Sequence, residues 1–153
     1  MKQLTISLIL LLLTVAPSYA VNDDRAKELQ KERDKLQRET DPVDRAKISI
    51  KISDLLLEDI ADAVKAGNIS QMQEQLTAYS ATIEGAHQTL VESGRNAQKK
   101  SGGFRELEIA LRKQARKFDD YARMLTTDRR EPIEAAKKLA TGIRDKLLKA
   151  LFP

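Results

Sequence analysis

The chain has 153 residues, 33% of them charged, a formal net charge of +4, and neither cysteine nor tryptophan. Without cysteine there is no disulfide, no thiolate nucleophile or ligand, no iron–sulfur centre and no covalent haem attachment. With only 4% aromatics and 41% hydrophobic residues, the composition describes long amphipathic helices rather than a β-sandwich.

Met1-Lys2-Gln3 gives a short cationic start, Leu4 to Val15 is an almost unbroken apolar run, and Pro17 breaks it. Ser18 and Ala20 then place small residues three and one positions before a cut after Ala20. This is the layout of a secretory signal peptide over residues 1–20. The alternative is an uncleaved anchor, but a spanning helix needs roughly 20 apolar residues, more than this run holds. The expected location is therefore periplasmic or secreted, with no stable membrane insertion after cleavage.

Residues 21–41 are almost entirely charged or amide, with Ala26, Leu29 and Leu36 the only apolar residues between Asp23 and Glu39. So weak a stripe predicts a mostly solvated helix or arm. Asp41-Pro42-Val43-Asp44 is a helix start, with Asp41 as cap and Pro42 in the first helical position. The helix that follows, about 42–66, carries Ile48, Ile52, Leu55, Leu56, Ile60, Ala63 and Val64 on one side. Ile48 to Ser53 also alternates with period two, which reads as a strand, but the cap before it and the pattern after it favour helix. Asp59 falls on the apolar side and needs an Arg or Lys from another helix. Asp54, Glu58 and Asp62 form a row of like charges that a basic neighbour, a hard cation or solvent must offset.

Gly67 ends this helix, and Asn68-Ile69-Ser70-Gln71 opens the next with a capping-box pattern. So short a turn predicts an antiparallel helical hairpin. The third helix is expected over about 69–100, with Ile69, Met72, Leu76, Tyr79, Ile83, Ala86 and Leu90 in a three-four seam. A helix of that length overhangs its neighbours and exposes apolar seam near Leu90–Ala97. Ser101-Gly102-Gly103 is the clearest break. Phe104, Leu107, Leu111, Gln114, Phe118, Tyr121 and Leu125 make a second seam with one polar member, Gln114. Asp128 and Glu131 have capping-box spacing before a last helix with Ile133, Ala136, Ala140, Ile143, Leu147 and Leu151. Met72 and Met124 are read as core. The predicted fold is all-α: an elongated antiparallel bundle of four long helices over residues 42–153, preceded by the charged helix or arm.

Residues 21–94 carry 10 Lys/Arg against 15 Asp/Glu, and residues 95–153 carry 16 against 8. One consequence is that acidic and basic helices pair with each other. The other is a binding surface for anionic polymers or lipid headgroups, with Arg105, Arg112, Arg116 and Arg123 on the face of the fourth helix away from its seam. Nucleic acid is not an expected partner, because no aromatic residues interleave with the basic ones.

The catalytic inventory is thin. There is one histidine, no nucleophile elbow, no phosphate loop and no dinucleotide fingerprint. Glu84-Gly85-Ala86-His87 is the one metal-like spacing, and di-iron bundles need two such motifs plus further carboxylates. Glu84 and His87 therefore stand as a single candidate pair, alongside a haem-binding bundle as a further alternative, and no cofactor is expected. The leading expectation is a non-enzymatic interaction or scaffold protein of the cell envelope that binds a protein partner or itself. The alternative is an electrostatic binder of anionic envelope components.

Overall fold

A computed structural model describes residues 23–153. The signal peptide expected over residues 1–20, with its expected cut after Ala20, lies outside the described residues. Within them the fold is all-helical, with five α-helices and no strand. The helices are α1 (Asp23–Arg38), α2 (Pro42–Ala66), α3 (Ile69–Glu92), α4 (Phe104–Arg123) and α5 (Glu131–Leu151), with a 3-10 turn at Thr127–Arg129 before α5. No helix among them is long and apolar enough to cross a membrane.

Local chemistry sets most of the boundaries. Asp41 Oδ1 accepts from the backbone N–H of Val43 at 2.9 Å and of Asp44 at 3.1 Å, with Pro42 in the first turn of α2. These bonds to Asp44 and Val43, with Arg95 nearby, hold the Asp41 carboxyl below its usual range. At the other end Gly67 N–H donates to Val64 O and Asn68 N–H to Ala63 O, a Schellman turn. The Asn68 amide N–H is thereby used, so the expected capping box is modified. Asn68 Oδ1 accepts from Gln71 N–H, while the Asn68 side-chain amide donates to Gln71 Oε1.

The third helix is shorter than the periodicity predicts. It stops at Glu92, where Ser93 Oγ donates to Leu90 O and Gly94 takes φ 65°. A left-handed glycine turns the chain, whatever the hydrophobic pattern beyond it. The overhang therefore does not exist. The chain folds back over Leu90, which is 0% exposed, and Ala97 is also buried. Two smaller expectations fail beside it. Asp128 does not cap α5, because the 3-10 turn places Arg130 at the cap position, where its Nε donates to Leu125 O. Met124 is 54% exposed rather than core, because it sits just past the last turn of α4.

Gly103 is where the returning chain meets the core. Its φ is +83°, and a Cβ there would lie 2.5 Å from Leu90 Cδ2 and 3.4 Å from Val43 Cα. Its N–H donates to Glu106 Oε2 at 2.7 Å, which starts α4. Gly103→Ala is expected to cost about 1–3 kcal/mol, because the backbone conformation is strained for alanine and Leu90 has no exposed side to retreat to. Gly142, inside α5 with nothing within 4 Å of its would-be Cβ, supplies the contrast. Gly142→Ala is expected to stabilise by about 0.5–1 kcal/mol through helix propensity. Urea unfolding of both variants checks the pair.

Helices α2 and α3 pack as an antiparallel hairpin, and so do α4 and α5. The hairpins stack with α4 beside α2 and α5 beside α3. Across that junction neighbours run in the same direction. Gly102 lies near Val43, Gln114 bonds Ser53, and Tyr121 bonds Leu57, so chain position rises together on both helices. The expectation of antiparallel neighbours thus holds within each hairpin and not between them, because the 93–103 connection crosses from α3 to the start of α4 beside α2.

Helix α2 has three neighbours, α1, α3 and α4, which is why its period-two stretch is buried so broadly. Ile48, Ser49, Ile52 and Ser53 are all buried on a helix, and only Lys51 within that run is exposed. Helix α1 packs chiefly on α2. It buries Leu29, and Arg45 Nη1 donates to Leu36 O and Glu39 O at its C-terminal end.

The core centre holds a polar thread. Tyr79 O–H donates to Gln114 Oε1 at 2.8 Å, and the Gln114 amide donates to Ser53 Oγ at 2.8 Å and Asp54 Oδ1 at 3.0 Å. Phe118 stands edge-on between Tyr79 and Tyr121, at 5.1 and 6.2 Å between ring centroids. No buried side-chain N or O among the described residues lacks a partner.

Candidate functional site

The charges of the two halves are offset differently from a simple pairing of acidic with basic helices. Among the described residues, no ion pair joins α2 or α3 to α4 or α5. Two members of the acidic row of α2, Glu58 and Asp62, are answered by α1 instead, while Asp54 accepts from the Gln114 amide of α4. Arg25 reaches Glu58 at 3.0 Å, Asp59 at 2.9 Å and Asp62 at 2.7 Å. The bond to Asp62, working against burial, raises the Arg25 pKa further above the usual guanidinium range. The partner that Asp59 requires is thus supplied from another helix. Lys51 likewise binds Glu28 and the buried Glu32 of α1, at 2.8 and 2.9 Å. That hydrogen bond, opposed by desolvation, keeps the Glu32 carboxyl below its ordinary range.

In the basic half Arg95 pairs with Asp41, Lys137 with Asp119 and Arg144 with Glu108, and the arginines of α4 are left to face outward. Arg105, Arg112, Arg116 and Arg123 are all exposed, and their spacing places them along one face of α4. Arg123 meets only Asp120, one turn away on its own helix, at 3.1 Å. Arg112 lies 3.8 Å from Glu108 on the same helix. Arg105 and Arg116 have no carboxylate within ion-pairing distance among the described residues. The four residues form one open cationic stripe, apart from the Tyr79–Gln114 thread in the core.

At the start of α4 the stripe meets α5. Arg144 of α5 donates through Nε to Glu108 Oε1 at 2.9 Å, and Glu108 is 7% exposed. Arg144 has no counterpart in the sequence reading, because the pairing that brings it to Arg105 and Arg112 runs between two helices. No local spacing signals it.

Glu84 and His87 are both on α3, with Glu84 exposed and His87 half-buried. Burial, and then the positive charge of Lys146 on α5, hold the His87 imidazole below its usual range, so it is neutral at pH 7. No group of three or more His, Asp or Glu positioned to hold a metal ion occurs among the described residues.

Compared with protein-family models, curated proteins and solved structures, the chain matches none.

Proposed function

We propose that this chain is an exported, non-enzymatic binding protein that engages anionic components of the cell envelope through the arginine face of α4. The scaffold for that face is a four-helix bundle made of the two stacked hairpins, with α1 laid along α2. One observation carries the reading: among the described residues, Arg95 with Asp41 is the one ion pair between the two halves, and the basic half is otherwise not neutralised by the acidic half. Arg25 and Lys51 serve the carboxylates around α1 and α2, and the α4 arginines point to solvent. A scaffold that needed its charges only for internal pairing would place them across the hairpin junction, where hydrogen bonds from uncharged Gln114 and Tyr121 stand instead. The leader sequence supports the compartment.

Co-sedimentation with phosphatidylglycerol vesicles tests the reading, with phosphatidylcholine vesicles as the neutral comparison. Each arginine held near an anionic surface contributes about 1 kcal/mol, and salt screens it. Arg112→Ala combined with Arg116→Ala is therefore expected to weaken binding about thirtyfold. Wild-type binding should fall steeply from low to high salt. Absent binding, or binding indifferent to salt, contradicts the reading.

A further inference from the structure

Between the start of α4 and the end of α5 lies a groove of about 580 Å³. That is within the usual range for small-molecule sites. Its polar edge holds Arg105, Arg112 and Arg144, against a single carboxylate, Glu108. Its apolar side holds Leu148 and Leu151, with Phe152 standing at the rim 76% exposed. We infer that this groove binds a single-chain anionic amphiphile, with its headgroup on the three arginines and its hydrocarbon chain along Leu148, Leu151 and Phe152.

Three guanidinium groups around one buried carboxylate leave an excess of two positive charges at one end of the groove. Glu108 also has a positioning role. It lies one turn from both Arg105 and Arg112 on α4 and accepts from Arg144 Nε at 2.9 Å, so it holds Arg144 in the groove. An unsubstituted anion would satisfy the arginines and leave the leucines in water. A neutral hydrocarbon would cover the leucines and leave the charge unmet. A molecule with both ends fits both halves, and the planar fork of arginine matches a carboxylate headgroup. Phe152, solvent-exposed at the C-terminal end, gains cover only when a chain lies beside it. The inference rests on the reading of the α4 face as a contact for anions, and it names the ligand class for one end of that face.

Calorimetric titration with tetradecanoate, below its micelle concentration, tests it. The expected result is one saturable site per chain and at least tenfold weaker binding of tetradecanol. Arg105→Gln with Arg112→Gln should weaken tetradecanoate at least tenfold while leaving the thermal midpoint in place. Leu151→Ser should weaken it at least fivefold and leave binding to phosphatidylglycerol vesicles unchanged. No saturable binding, equal affinity for acid and alcohol, or indifference to the arginine pair overturns the inference. If vesicle binding fails while tetradecanoate still binds through these residues, the groove stands and the broader surface reading falls. If vesicles bind and tetradecanoate does not, the groove alone is overturned.

Discussion

Replacing Phe118 by alanine is expected to destabilise the protein by about 3–5 kcal/mol. Phe118 is 0% exposed and sits edge-on to both Tyr79 and Tyr121. Its removal takes away buried apolar area, two aromatic contacts and the packing that joins α3 to α4. The rings around it are fixed by their own hydrogen bonds, Tyr79 to Gln114 and Tyr121 to Leu57 O, so they cannot collapse into the space. Domains of this size hold about 5–15 kcal/mol in total, so the variant loses a large share of its margin. Met124→Ala, at an exposed position one residue beyond α4, should change stability by less than about 0.5 kcal/mol. Urea denaturation of both variants makes the comparison. A Phe118→Ala loss below about 1 kcal/mol would mean the core is not packed as described.

Gln114→Ala is expected to cost about 2–4 kcal/mol, and the cost should depend on Tyr79. The substitution removes the acceptor of the Tyr79 hydroxyl, which is fully buried. Burial, with the nearby Asp54 charge adding to it, pushes the Tyr79 pKa well above the ordinary phenol range. The hydroxyl thus remains a proton donor at every working pH, with nothing to receive it once Gln114 is gone. Tyr79→Phe removes that stranded group. The double variant should therefore be more stable than the sum of the two single losses predicts, by about 1–2 kcal/mol. Additivity within a few tenths of a kcal/mol would show that the two side chains act independently.

The helical seams were legible because three-four spacing reports burial directly. Met72, Leu76, Tyr79, Ile83, Ala86 and Leu90 are all buried on α3, as are Phe104, Leu107, Leu111, Gln114 and Phe118 on α4. Gln114 looked like a flaw in its seam. It is the junction of the polar thread, a role that exists only once Tyr79 and Ser53 arrive from other helices. The end of α3 was misread because the periodic pattern outweighed Gly94, whose left-handed backbone decides the matter locally. Charge counts by halves of the chain pointed to acidic helices beside basic ones, and α4 does lie beside α2 and α5 beside α3. The counts missed that α1, itself rich in both signs, meets α2 first and occupies its carboxylates through Arg25. The arginine stripe of α4 followed from spacing alone, whereas Arg144 and its bond to Glu108 depend on how α5 returns along α4.

The most direct test of the account is residue-resolved: amide chemical shifts of the labelled protein titrated with bicelles containing phosphatidylglycerol. The largest changes are expected to follow Arg105, Arg112, Arg116 and Arg123 along α4 and to disappear at high salt. Changes concentrated on α1 and α3, with α4 silent, would contradict it.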